Sequence, residues 1–146
     1  MMRKIYRDLV GLMCAALLAF GSSAWAQASA LAPLLNQGDE QWAAGKIDLA
    51  QKTFEQAVTV QPRSVAARMK LGGLQLSRQN FKAATETYKE AISLDAHNAK
   101  AWLGLGFSYL HMDRNDLSLA AFNEAIRVEP SYKERLAPVM AKLALP

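Results

Sequence analysis

The chain has 146 residues, of which 51% are hydrophobic and 21% charged, and a formal net charge of +4. This length holds one domain and this composition can build a core, which excludes a chain disordered by composition. Arg3, Lys4 and Arg7 against Asp8 supply +2 of the +4, leaving +2 for the remainder, too small a surplus for the clustered cationic face that nucleic acid requires.

Residues 1–8 carry three cations, Leu9 to Phe20 form an apolar run, and small residues follow up to Ala24-Trp25-Ala26. This is the layout of a secretory signal peptide, with Ala24 and Ala26 as the small residues before a cleavage site. Cleavage after Ala26 is expected, leaving Gln27 first in an exported protein, periplasmic or secreted. A retained anchor would need an apolar run of about 20 residues, and this one has about a dozen, so no stable membrane insertion is expected after processing. Cys14 lies within the run and follows Met13, where a lipoprotein signal needs a small residue. With Cys14 removed no cysteine remains, so neither disulfides nor thiol chemistry can contribute. Residues 27–30 read as a short linker.

From residue 31 the chain matches itself at an offset of 34. Gly38, Gly72 and Gly106 align, as do Phe54, Tyr88 and Phe122, then Ala57, Ala91 and Ala125, then Val58, Ile92 and Ile126. Ala50 and Ala84 align with Ser118, and Pro62 and Pro130 flank Ala96. Ala50, Phe54, Ala57 and Val58 follow the i, i+4, i+7, i+8 spacing of one helical stripe. A first helical stretch precedes each such stripe, as in Leu31–Ala43, closed by Gly45. Ser64 and Asn98 stand where their side chains can cap the next helix. The spacing predicts helices near 31–43, 48–60, 65–77, 81–94, 99–111 and 115–128, in units 31–64, 65–98 and 99–130. Glycine inside a helix costs about 1 kcal/mol relative to alanine. Its recurrence in each first helix predicts close helix–helix contact, with the neighbouring aromatic filling the gap.

Residues 131–146 are expected to close the stack, because a solenoid that stops leaves its last apolar face in water. Ser131 and Glu134 read as a capping box. Tyr132, Leu136, Val139 and Leu143 then fall on one stripe. Pro138 inside that stretch predicts a bent helix or two short pieces.

Trp102, Leu105, Gly106, Tyr109, Phe122, Ala125 and Pro130 together resemble the tetratricopeptide repeat signature, and the resemblance covers residues 31–130. Departures are Gln37 and Gln41 in the first unit, Arg68 and Gln75 in the second, and Asn115 and Ser118 in the third. The resemblance implies an all-α protein, a right-handed α-solenoid of three tetratricopeptide helix pairs with a C-terminal capping helix. It also implies that the first helices line a concave groove that holds a peptide or helix of a protein partner. Carried over by position, that groove is lined by Leu35, Asn36, Asp39 and Trp42, by Met69, Lys70 and Leu76, and by Lys100, Leu103, Phe107, Leu110 and His111. Gly73 and Gly104 would leave room for a ligand backbone, and Lys70 and Lys100 suit a ligand with carboxylates. Trp42 has two open orientations, into the groove or into the core.

Catalysis finds no constellation. His97 stands with Asp95 and Asn98 in a turn, His111 ends a helix where a cation suits the dipole, and no two histidines share a helix face. No enzyme activity, cofactor or metal is expected. The function expected is that of a scaffold for an envelope or secreted protein. The alternative is a self-assembling structural component, a homo-oligomer joined through its groove or its ends.

Overall fold

The computed structural model describes residues 30–143. The expected leader, its cleavage point and most of the linker lie outside the described residues. Seven helices run through the described residues: α1 (30–43), α2 (Ile47–Val60), α3 (Val65–Ser77), α4 (Phe81–Leu94), α5 (Ala99–Leu110), α6 (Asn115–Val128) and α7 (Tyr132–Leu143). They form the all-α stack of antiparallel helix pairs expected from the 34-residue register. Each helix from α2 onward packs on the next, and α3 also packs directly on α5.

The helix boundaries repeat because the turn chemistry repeats. Gly45, Gln79 and Asp113 stand 34 residues apart, and all three adopt the left-handed conformation, with φ of 72°, 63° and 55°. The following N–H groups, of Lys46, Asn80 and Arg114, donate back to the carbonyls of Gln41, Gln75 and Tyr109 at 2.8, 2.9 and 3.0 Å. This is the Schellman closure of a helix C-terminus, in which a left-handed residue turns the chain out of the helix while its last carbonyls stay paired. Ser64 and Asn98 cap α3 and α5 as expected, accepting from the N–H groups of Ala67 and Ala101 at 3.1 and 3.0 Å. Asn80 does the same for α4.

Small and large residues interlock in the core. Ala50, Ala57, Ala84, Ala91, Ala101 and Ala125 are fully buried, with Phe54 and Phe122 beside them. The helical glycines are where these rings enter. A Cβ at Gly38 would lie 2.6 Å from Phe54 Cδ1, one at Gly72 3.1 Å from Tyr88 Cε1, and one at Gly106 2.5 Å from Phe122 Cδ1. Burial pushes the Tyr88 phenol up to about 12.

Four of the six departures from the repeat signature turn out to be paired. Thr53 donates its hydroxyl to Gln41 Oε1, and Thr87 donates to Gln75 Oε1, both at 2.7 Å. The two pairs occupy the same place in successive units, so an apolar site has been exchanged for a satisfied hydrogen bond. Ser118 is fully buried and donates to the Gly106 carbonyl at 2.9 Å. Arg68 donates to the Pro62 carbonyl where, one unit on, Trp102 Nε1 donates to Ala96 O at 2.9 Å. The same connection is tethered by two different side chains.

For the C-terminal segment one expectation is narrowed and one is corrected. Tyr132–Leu143 is one helix with Pro138 inside it, so of the two forms expected the pair of short pieces is excluded. Pro138 and Glu134 are both exposed, so the Glu134 carbonyl that loses its donor faces water. Ser131 and Glu134 do not form the reciprocal box. The Ser131 N–H donates to Glu129 Oε1 at 3.3 Å, while Tyr132 and Lys133 donate to the carbonyls of Glu129 and Pro130. The turn before the helix already satisfies these groups. Leu136 is buried on the stack, so α7 covers its end as expected.

Candidate functional site: the face of the first helices

The offset that builds the stack also stacks equivalent side chains along α1, α3 and α5. Leu35, Met69 and Leu103 form one row, Asn36, Lys70 and Gly104 a second, Asp39, Gly73 and Phe107 a third, and Trp42, Leu76 and Leu110 a fourth. Residues three and four apart share a helix face, so the rows lie side by side.

The first half of this face is largely occupied by its own side chains. Trp42 meets the Phe54 ring edge-on at 6.4 Å, and a Cβ at Gly73 would lie 3.6 Å from its ring. Trp42 is therefore laid onto the stack, with its ring over Gly73. Leu35 packs on the same cluster, and Met69 and Leu76 pack on the cluster around Tyr88. Lys70 Nζ reaches Asp39 Oδ2 at 2.7 Å, both side chains remaining 42% exposed. That pair joins α1 to α3, and at such exposure it contributes about 0–1 kcal/mol. It also changes the expectation for Lys70, whose charge is met within the chain. Asn36 is exposed beside it.

Gly104 is corrected in role. A Cβ there would lie 2.5 Å from Tyr88 Cε1, so the gap holds the chain's own Tyr88 ring and leaves no room for a ligand backbone. His111 stacks on Phe81 at 4.6 Å and 8° between planes, an internal contact at the end of α5. Asp95 Oδ1 accepts from the His97 N–H at 3.0 Å, the turn role expected for both.

The second half of the face holds a small cavity. Leu103 and Phe107, with Tyr132, Arg135 and Leu136 of α7, line a cavity of about 90 Å³. The Phe107 ring leans edge-on against Phe122 at 5.1 Å, which fixes it at the cavity wall. Lys100 is exposed one turn before Leu103, and Leu110 is half-buried one turn beyond Phe107. Leu103 and Phe107 were legible from the repeat. Tyr132, Arg135 and Leu136 were not, because the last segment reads as a cover. The signal was present in the register, which continues past the third unit and sets Leu136 at the place of Trp102 and Leu143 at that of Tyr109.

A second cleft lies on another side, between α4 and the α5–α6 turn, lined by Lys82, Glu86, Lys89, Tyr109, Arg114 and Leu117 among others. The Lys89 ammonium there is held above its usual range by its hydrogen bond to Glu86 and by Tyr109. Among the described residues no group of three His, Cys, Asp or Glu could hold a metal ion, and no helix is long and apolar enough to cross a membrane.

Helix pairs of fixed length, stacked through small residues and presenting one row of first helices, define a helical repeat protein. Two sequence profiles of the tetratricopeptide repeat match, over residues 35–99 and 75–143. The chain belongs to the tetratricopeptide repeat proteins. A sequence search of curated proteins gives no match. Solved structures give many likenesses of fold. The first tetratricopeptide domain of Spaghetti (RPAP3), bound to the HSP90 peptide SRMEEVD, superposes with a TM-score of 0.73 at 16% identity, covering 78% of this chain and 90% of that one. The Arabidopsis OM64 tetratricopeptide domain gives 0.75 at 19% identity, covering 81% and 97%. The Yersinia enterocolitica type III secretion chaperone SycD, in complex with a peptide of the translocator YopD, gives 0.73 at 16% identity, covering 79% and 92%. At these identities the likeness is one of fold.

Proposed function

We propose that the chain is an exported, non-catalytic scaffold that holds a peptide or helix of an envelope or secreted protein against its first helices. The observation that carries this reading is the cavity at the α5–α7 end of that face. There Leu103, Phe107 and Leu110 stay partly exposed beside an exposed Lys100 and Arg135. Apolar side chains left in water on one face of a stack mark a surface for another molecule. Two of the solved structures of this fold carry a bound partner peptide, which agrees with the reading. Export rests on the tripartite pattern of residues 1–26 and places the partner in the same compartment.

The test has two arms. Capture of partners from an envelope extract is compared between the wild-type chain and the exposed-charge variant Lys100→Glu/Arg135→Glu, with Phe107→Glu alongside and helicity checked for each. A protein captured by the wild type and lost with the folded variants supports the scaffold, and equal capture by all refutes the face. N-terminal sequencing of the chain recovered from its own cell should begin at Gln27. An intact Met1 in the cytoplasmic fraction would refute export.

A further inference from the structure

The stack contains its own control for the cavity at its end. The residues that α7 offers to that cavity, Tyr132, Arg135 and Leu136, stand 34 residues after Asn98, Ala101 and Trp102, and 68 after Ser64, Ala67 and Arg68. At both earlier junctions the middle position is a fully buried alanine, Ala67 or Ala101. At the last junction it is the exposed Arg135. The third position is held earlier by Arg68 and Trp102, whose polar ends donate to the turn carbonyls of Pro62 and Ala96, and at the end by the smaller, wholly apolar Leu136. The backbones differ in the same sense. α3 packs directly on α5, while α7 packs on α6 and makes no such approach to α5. A helix that only covered the stack could keep the alanine and the large residue. This one carries an exposed cation where its predecessors carry a buried alanine, and the cavity lies beside it.

The chemistry of the void follows from its walls. Leu103, Phe107 and Leu136 make it apolar, and about 90 Å³ suits one side chain, not the small-molecule ligands whose pockets run to about 300–1,000 Å³. Arg135 lines it with its guanidinium 5.8 Å from the centre of the Tyr132 ring, which restrains the charge at the rim. Lys100 adds a second cation on the α5 side, and no acidic residue lines the cavity. At the other end of the face the Asp39–Lys70 pair cancels its own charge. The attraction for an anion is therefore concentrated at the α5–α7 end.

We infer that the partner segment carries an apolar side chain next to a carboxylate, and that it docks with the apolar group between α5 and α7 and the carboxylate on Arg135. This rests on the scaffold reading and names the chemistry of its ligand. The α7 helix is then half of the recognition surface as well as the end of the stack.

The probes are three blocked dipeptides, N-acetyl-leucyl-glutamate amide, its leucyl-glutamine analogue and its alanyl-glutamate analogue, titrated into the exported chain and followed by amide NMR. Saturable shifts centred on Leu103, Phe107, Arg135 and Leu136 are expected with the first. Replacing leucine by alanine removes two to three buried carbons and should weaken binding by about tenfold or more. Replacing glutamate by glutamine removes one partly exposed ion pair and should weaken it about threefold. Arg135→Gln should erase the difference between glutamate and glutamine. Leu136→Trp restores the side chain of the preceding junction and should abolish binding of all three in a chain that keeps its helicity. Shifts that never saturate, equal binding of the alanyl probe, or an undiminished preference for glutamate in Arg135→Gln would each overturn the inference. So would sites that close on raising the protein concentration, the sign of a second copy occupying them. If the dipeptides fail while Lys100→Glu/Arg135→Glu still loses the captured partner, the ligand chemistry is wrong and the scaffold reading stands.

Discussion

Two glycines of the first helices should respond to the same substitution with opposite sign. Alanine is favoured over glycine in a helix interior by about 1 kcal/mol, and both Gly73→Ala and Gly104→Ala begin with that gain. At Gly73 the new methyl would lie 3.6 Å from Trp42 Cη2 and 3.8 Å from the Tyr88 hydroxyl, ordinary contact distances, so the gain survives. At Gly104 it would lie 2.5 Å from Tyr88 Cε1 and 2.6 Å from Cε2, closer than carbon atoms pack. The Tyr88 ring is 4% exposed and also faces Gly72, so it has no open side into which to retreat. Forcing a methyl into such a core costs about 1–3 kcal/mol, and contact with several ring atoms points to the upper part of that range. Gly73→Ala should therefore be up to about 1 kcal/mol more stable than wild type, and Gly104→Ala as much as about 2 kcal/mol less stable. Urea unfolding followed by far-ultraviolet circular dichroism measures both, provided the slope with denaturant is unchanged. A Gly104→Ala protein as stable as wild type would refute the placement of Tyr88, and with it the register by which α4 meets α5.

Other substitutions test other parts of the account. Gln79 and Asp113 hold the left-handed turn position that Gly45 fills in the first unit, so Gln79→Gly should raise stability by about 1 kcal/mol, with a smaller gain for Asp113→Gly and a loss for Gly45→Ala. Chemical denaturation reads all three, and a loss at Gln79→Gly would contradict the shared turn. Phe54→Ala or Phe122→Ala should cost about 3–5 kcal/mol as cavities in a core where both rings are fully buried, and a neutral effect would contradict the repeat register. Gln75→Ala leaves the buried Thr87 hydroxyl without its partner and should cost about 1–3 kcal/mol, of which Thr87→Val in the same chain recovers part. Raising the pH should expose the burial of Tyr88. Below pH 10 the phenol is neutral in both states, and between pH 10 and about 12 only the unfolded chain loses its proton, so stability falls across that window. The loss approaches about 3 kcal/mol and should be missing from Tyr88→Phe, compared with wild type at each pH.

Much of the fold was legible because the restraints that set it are local and recur. A glycine opposite an aromatic, an alanine at each close contact and a capping side chain at each turn leave the same mark every 34 residues, and the helix bounds follow from them. The turn glycine was legible only at Gly45. Gln79 and Asp113 take up the same backbone conformation without the residue that announces it, because the closing hydrogen bonds and the packing of the flanking helices impose it. Gln41 and Gln75 read as departures because a hydrogen-bonded pair is invisible until Thr53 and Thr87 are known to face them. The first-helix rows follow from the repeat, but which of their side chains are spent on internal contacts and which line the cavity depends on side-chain direction. Gly73 and Gly104 look alike in the sequence, yet one accommodates Trp42 and the other Tyr88. Arg135 was passed over because a terminal helix is read for what it covers, and its polar residues are then taken as solvated.

The central claim, that a partner is held against the first helices, is tested most directly by photo-crosslinking in the cell that makes the protein. A photoreactive residue is placed in the full chain at Asn36 or Lys100, on the first helices, and at Lys52, exposed on α2. None of the three is needed for folding, so the readout is free of stability. The account predicts that one protein is crosslinked from Lys100, more weakly from Asn36, and not from Lys52. Equal crosslinking from Lys52, or none from Lys100 when Lys52 reacts, would place the partner elsewhere and contradict it.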